Sequence, residues 1–222
     1  MIDGKTHVRG IFSKTEQRRL NFMDEQMTVN TDGWHKQPHY TQLALDVMKR
    51  IENTQLVPVT DPILKKPLES CSIGLDRKEL HDRLLSAMEH YQGIGLSANQ
   101  IGIQERAFIM YSDVKKKEII TCFDPLITEY HLDKIIMDEG CLTWPGLWLK
   151  VERSEGIRCV YNDVDGELVQ VEMHGLESRI FQHEYDHMEG TNFTQRVSRL
   201  KLNMAKRRAA KMKKKSMFSM SA

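Results

Sequence analysis

Residues 176–189 read Leu-Glu-Ser-Arg-Ile-Phe-Gln-His-Glu-Tyr-Asp-His-Met-Glu, and the fold turns on this stretch. Leu176, Ile180, His183 and His187 recur at intervals of three or four, which marks one face of a helix. On that face His183 and His187 lie about one turn apart, so two imidazoles converge on a single point. Glu184 stands beside them, within reach of a water held at that point, and suits the part of its base. The same spacing also arises by chance on solvated helices. Against that, Leu176, Ile180 and Phe181 mark this helix as buried, and a buried His/Glu cluster needs partners.

Upstream, Gly156–Tyr161 and Glu167–His174 alternate around 162–166, which predicts a hairpin. Arg106–Tyr111 and Glu118–Phe123 read as strands, the second ending at Asp124–Pro125. Asp76–Gly93 reads as a helix. Asp76 and Glu79 have capping-box character, Leu80, Leu84, Met88 and Tyr91 share a face, and Gly93 sits where a left-handed stop is expected. Pro58, Pro62 and Pro67 predict an extended, turn-rich passage. Leu43, Val47, Met48 and Ile51 give Thr41–Asn53 a helical spacing. Strands followed by one apolar helix predict an α+β domain: antiparallel or mixed sheets packed around a central helix that carries the His-Glu-x-x-His motif.

At 222 residues, 40% hydrophobic and 28% charged, the chain has material for one substantial core plus extensions. Its apolar runs fall far short of the roughly 20 residues that span a bilayer, and no secretory-type start is present. A cytoplasmic protein without a membrane partner is expected, with organellar targeting left open. The net charge of +1 hides an asymmetry. All 31 acids lie before residue 196, whereas 196–222 carries basic residues alone, so any polyanion contact belongs to the tail. Cysteines 71, 122, 141 and 159 include no Cys-x-x-Cys pair and read as reduced thiols.

No Asp, Glu, His or Cys follows Glu189, and Phe193 stands where an extended zinc-protease motif places its last histidine. Apart from the adjacent Glu189, a third metal ligand must therefore come from upstream. Cys141, in Glu139-Gly140-Cys141-Leu142-Thr143, is the best candidate, because glycine permits a tight backbone and a neighbouring metal holds the thiolate. Taken alone, Cys141 is more often a small core residue than a ligand, the reading kept for Cys71, Cys122 and Cys159. In Gly93-Ile94-Gly95-Leu96-Ser97-Ala98-Asn99-Gln100, two glycines allow close backbone approach and Gln100 offers an amide N–H to a developing oxyanion. The loop lacks the Lys-Ser/Thr ending of a phosphate cradle, so no nucleotide cofactor is expected.

In order and separation these three segments resemble the three motifs of peptide deformylases. The resemblance covers about Val57–Gln195, with Asp61-Pro62-Ile63-Leu64-Lys65 similar to the family's N-terminal segment. It implies one divalent metal on Cys141, His183 and His187, generally Fe²⁺ in this family, with Zn²⁺, Ni²⁺ or Co²⁺ able to replace it. It implies Glu184 as proton carrier, Gln100 and the Leu142 backbone N–H as oxyanion donors, and hydrolysis of N-formylmethionyl nascent peptides to formate. The peptide would lie as an added strand beside Gly93, Ile94 and Gly95, with Ile94, Leu176, Ile180 and the His183 ring around its methionine. Glu139, Gln182 and Asp186 flank ligands and are expected to orient them, although a surface ion pair also explains Asp186. Ser97 and Thr143 stand where alanine and serine are common. Trp148 replaces a basic residue that contacts the peptide in many bacterial members, and Arg179 replaces an apolar pocket residue. These last two bear on peptide preference and leave the metal chemistry intact.

The implied division is a 1–54 extension, a 55–197 catalytic domain and a 198–222 basic helical tail. The tail is either a solvated, frayed helix or a ribosome-docking helix through 199–215, as in bacterial members. Two other readings remain: a zincin-like metallopeptidase, and a catalytically inactive ribosome- or RNA-binding relative.

Overall fold

The computed structural model describes residues 54–219, with side chains through residue 214. The helical spacing at Thr41–Asn53, and with it nearly all of the expected N-terminal extension, lies outside the described residues.

Strands β1 (Gly95–Ser97), β2 (Ala107–Asp113), β3 (Glu118–Tyr130), β6 (Gly156–Asn162) and β7 (Leu168–His174) form one antiparallel sheet in the order β1-β2-β3-β6-β7. A separate antiparallel pair joins β4 (Lys134–Glu139) to β5 (Leu149–Ser154). Among the described residues three α-helices accompany them: α1 (Arg77–His90), α2 (Gly175–Met188) and α3 (Arg199–Ser219). The expected α+β class is therefore what the chain adopts, and every strand pairing among the described residues is antiparallel.

β2 explains how the layers stack. Ala107–Met110 is buried throughout, because successive side chains point to opposite faces and both faces are covered. Phe108 and Met110 share a core with Ile180, Phe181 and Met188 of α2. Ala107 and Ile109 share another with Leu80, Leu84 and Met88 of α1. The helix carrying the His-Glu-x-x-His motif also meets β1, β5, β6 and β7, so ten of its fourteen residues are buried.

Several sequence expectations need correction. β3 does not end at Asp124–Pro125 but runs on to Tyr130. Asp124 adopts φ 49°, and the register with β6 shifts between Phe123 and Leu126; this irregularity absorbs the proline without ending the strand. Nor is Gly93 the left-handed stop of α1. That residue is Gln92, at φ 55°. The helix closes through Gln92 N–H to Glu89 O at 3.1 Å and Gly93 N–H to Met88 O at 2.9 Å. Gly93 is needed for contact instead, since a Cβ there would lie 2.8 Å from Leu142 Cδ1. Strands β1, β4 and β5 went unforeseen.

Candidate active site

Three segments meet at the site. On α2, His183 and His187 face the same point, and Cys141 approaches from the loop between β4 and β5. One ligand atom from each lies within 4.8 Å of the other two, and Cys141 Sγ is 3.3 Å from His187 Nε2. The histidines are buried and Cys141 is half-buried. The structure thus gathers all three residues singled out as ligands.

Each imidazole is held from behind. His183 Nδ1 donates to Glu139 Oε2 at 3.0 Å, which turns its other nitrogen toward the cluster and sets the tautomer a metal ligand requires. Trp144 stacks on His187 with ring centroids 6.3 Å apart, and Phe193 lies 5.7 Å from the His183 ring. Burial, then the charges of His183 and Arg153, push the His187 pKa well down, toward the neutral ring that ligation needs.

Glu139 anchors a buried network of charges. Its carboxylate accepts from Arg153 Nε at 2.7 Å, Arg153 Nη2 at 3.0 Å and Arg179 Nη1 at 2.6 Å. Burial works against its ionisation, but the bonds from His183 and Arg153 outweigh it and hold the pKa well below the carboxylate range. Arg153 Nη1 also donates to Asp186 Oδ2 at 2.9 Å, and Asp186 is joined by Arg196. Asp186 is therefore a buried partner of two arginines, not a surface ion pair, and the hydrogen bonds of its side chain go to Arg153 and Arg196 rather than to His183 or His187. Gln182 likewise bonds Ser154 O and Ser178 rather than a ligand.

Arg179 does not line an apolar pocket. It is 3% exposed and ties α2 to the β4–β5 pair by donating to Val151 O at 2.9 Å and Ile135 O at 2.6 Å. Trp148 lays its indole over Gly140, whose Cβ would lie 3.3 Å from the ring. Gly140 thus leaves room for an aromatic cover beside Cys141.

Glu184 sits next to the cluster, with Oε2 buried and without a hydrogen-bond partner among the described residues. Burial pushes its pKa up to about 7, so this carboxyl can take up or release a proton near neutrality. Gly95 makes its position possible: a Cβ there would lie 2.5 Å from Glu184 Oε1 and 2.9 Å from Ile180 Cγ2. Gln100 is fixed in orientation. Its Oε1 accepts from Ser97 N–H and Ser97 Oγ, each at 3.0 Å. Its Nε2 therefore points at Cys141 Sγ, 3.3 Å away, and Thr143 Oγ1, 2.9 Å away. β1 is the edge strand of its sheet. Ile94, beside it, and Leu176 are exposed, whereas Ile180 is buried.

Two residues of the site were missed from sequence. Asn99 Nδ2 donates to His187 O at 2.8 Å, locking the glycine-rich segment to α2. Arg153 could have been found: Leu149, Val151 and Arg153 alternate along β5, and an arginine on a buried face demands an acid. The remaining cysteines follow the core reading. Cys122 and Cys159 are fully buried and Cys71 half-buried, and burial raises all three thiol pKa values.

Comparison with known proteins identifies the family. The family model described as polypeptide deformylase matches residues 53–203. The peptide deformylase of Thermotoga maritima is 35% identical over 139 residues, 62% of this chain and 83% of that protein. Peptide deformylase 1B of Arabidopsis thaliana, described as chloroplastic/mitochondrial, is 30% identical over 188 residues, 83% of this chain and 63% of that protein. The crystal structure of a Synechococcus elongatus peptide deformylase in complex with actinonin superposes with a TM-score of 0.65 at 32% identity, covering 71% of this chain and 86% of that one. With the match to the family model spanning well over half its length, the chain belongs to the polypeptide deformylase family.

Proposed function

We propose that the protein removes the formyl group from N-formylmethionyl ends of newly made peptides, with Cys141, His183 and His187 holding a divalent metal and Glu184 moving the proton. The observation that carries this reading is the convergence of one cysteine sulfur and two imidazoles beside a buried carboxyl whose Oε2 has no hydrogen-bond partner among the described residues. The donor set fits a metal: one sulfur and two ring nitrogens within 4.8 Å suit a borderline divalent ion with an open fourth position. Fe²⁺ is the ion we assign, with Zn²⁺, Ni²⁺ and Co²⁺ as substitutes. When bound, such an ion supplies Lewis-acid polarisation and an acidified water.

The protein's own groups do the rest. Glu184 Oε2 takes a proton from the attacking water and delivers it to the departing amine. Gln100 Nε2 and the Leu142 backbone N–H donate to the oxyanion that develops at the formyl carbon. Loss of one such donor typically costs about 3 kcal/mol of barrier. The substrate backbone pairs with the free side of Gly93, Ile94 and Gly95 as an added strand. Ile94, Leu176 and Ile180 border the methionine side chain.

The decisive assay is formate release from a formyl-Met tripeptide by metal-loaded protein. Glu184→Ala is expected to lower kcat by about 10²–10⁴-fold while metal content stays unchanged. Wild-type protein that is silent with metal bound would end the reading. Metal analysis of anaerobically purified protein tests Fe²⁺.

The catalytic domain is taken as 55–197, followed by the 198–222 tail. We place the tail's basic face against ribosomal RNA: Lys206, Arg207, Arg208 and Lys211 of α3 are exposed, and salt should weaken such a contact. We place the protein in the cytoplasm. No described helix is long and apolar enough to cross a membrane.

A further inference from the structure

A second group of metal-ligating side chains lies outside the catalytic centre. His131 follows β3, Glu155 sits between β5 and β6, and His174 ends β7 immediately before α2. One ligand atom from each lies within 4.8 Å of the other two. The two rings are 5.2 Å apart between centroids, and the backbone holds the three segments in register. His131 N–H donates to Gly156 O at 3.0 Å, Glu155 N–H to Asp133 O at 2.8 Å, and Gly175 N–H to Glu155 O at 2.9 Å.

The outer nitrogens are already spoken for. His174 Nε2 lies 3.2 Å from Glu172 Oε1, and His131 Nε2 lies 3.5 Å from the same oxygen. A carboxylate on one ring nitrogen keeps a proton there, as in carboxylate–histidine–metal triads, so a cation need displace only the proton that His174 Nδ1 shares with Glu155 Oε2, 3.1 Å away. Here one carboxylate oxygen faces both rings. Both Nδ1 atoms then turn into one small space beside Gly156. A Cβ at that residue would lie 2.5 Å from His131 Nδ1 and 2.8 Å from His174 Nδ1, so the space exists only because residue 156 lacks a side chain. Gly156 has no positive φ to justify it; the two rings do. Glu155 completes the group: Oε2 is 3.1 Å from His174 Nδ1, while Oε1 accepts from Gly175 N–H at 3.2 Å.

We infer that His131 Nδ1, His174 Nδ1 and Glu155 Oε2 form a second divalent-cation site of the zinc class, with Glu172 orienting both rings. Two imidazoles and one carboxylate are an established zinc donor set with room for water in the fourth position. One term opposes it: His174 caps the N-terminus of α2, and the positive end of a helix disfavours a cation. The charges of Glu155 and Glu172 offset that field. An ion there would cross-link the turn after β3, the β5–β6 junction and the start of the helix that bears His183, about 13 Å further along its axis at 1.5 Å per residue.

The test counts metal. Full-length protein already carrying one zinc ion at Cys141, His183 and His187 is dialysed against micromolar Zn²⁺ and analysed for zinc. A second equivalent is expected in the wild type and in Arg179→Met, and its loss in the His131→Ala/His174→Ala double variant, which retains the first. The second equivalent should also raise the melting temperature of the wild type and leave the double variant unmoved. A single equivalent in the wild type, or a second one that survives in the double variant, overturns the assignment. If the double variant does not fold, His174→Gln and Glu155→Gln each serve singly, and each must weaken the second equivalent at least tenfold. Formate release is not the readout, so the deformylase reading stands or falls separately.

Discussion

Glu139 and Glu172 hold the same kinds of partner in two different settings. Glu139 binds Arg153, Arg179 and His183; Glu172 binds Arg158 and His174 and lies beside His131. Arg153 and Arg158 each also reach a second carboxylate, Asp186 and Glu129 respectively. The side chains of Arg153 and Glu139 are 3% and 4% exposed, against 52% and 40% for Arg158 and Glu172. Water decides what these similar arrangements are worth. In the exposed cluster it screens the charges and takes the place of any partner removed. In the buried one a missing partner leaves an uncompensated charge with nowhere to go.

The sharpest way to break this comparison is Glu139→Ala. It takes a carboxylate from two buried guanidinium groups, leaving Arg153 with Asp186 and Arg179 with backbone carbonyls, and frees the His183 ring. Breaking a buried pair by removing one partner costs about 3–5 kcal/mol, and losing a carboxylate behind a ligand histidine typically costs about 10–100-fold in metal affinity. Urea denaturation and metal dialysis measure the two separately. A loss of stability no larger than that of Glu172→Ala would show that burial does not set the value of these contacts.

A middle case is Arg179→Met, which removes one of the two arginines on Glu139 and fills similar space. Arg153 and His183 still satisfy the carboxylate, but Val151 O and Ile135 O lose their side-chain donor. The expected loss is about 1–3 kcal/mol, read from the denaturant midpoint, with Cys141, His183 and His187 still binding metal.

The smallest effect belongs to Arg158→Ala. Its guanidinium is solvated and its two partners remain in water, so the melting temperature should stay within the scatter of replicates. A clear drop would mean that the outer cluster is structurally coupled, and would sharpen interest in its histidines.

The site was legible from sequence where chemistry and periodicity coincide. The interval between His183 and His187 is both a helical turn and the spacing of a candidate ligand pair, and Ile180 and Phe181 fix which way that helix faces, whereas Leu176, read as part of the same buried face, is exposed. The 156–174 hairpin was legible for a similar reason, as two alternating runs flank a turn. β4 escaped because most of Lys134–Asp138 is exposed, so no alternation marks it, and β1 has three residues, too few to show a period. Asp124–Pro125 suggested a strand end, because a bulge that keeps pairing on either side leaves no local signal. Arg179 and Trp148 were visible as departures, but not their destinations. Those depend on Glu139 and Gly140, which reach them through tertiary contacts.

The first turns of α3 are part of the wall behind the imidazoles. Ala205 is buried, and Leu202 packs with it against Leu147, Leu149, Val151 and Phe193; Phe193 in turn leans on His183. Clipping the chain at Arg199 would therefore strip insulation from the catalytic pocket as well as charge from the surface. A truncated enzyme that lost both turnover and ribosome affinity would say little about docking. Swapping Lys206, Arg207 and Lys211 for glutamate, with Leu202 and Ala205 untouched, tests the proposed docking without disturbing this helix's masonry.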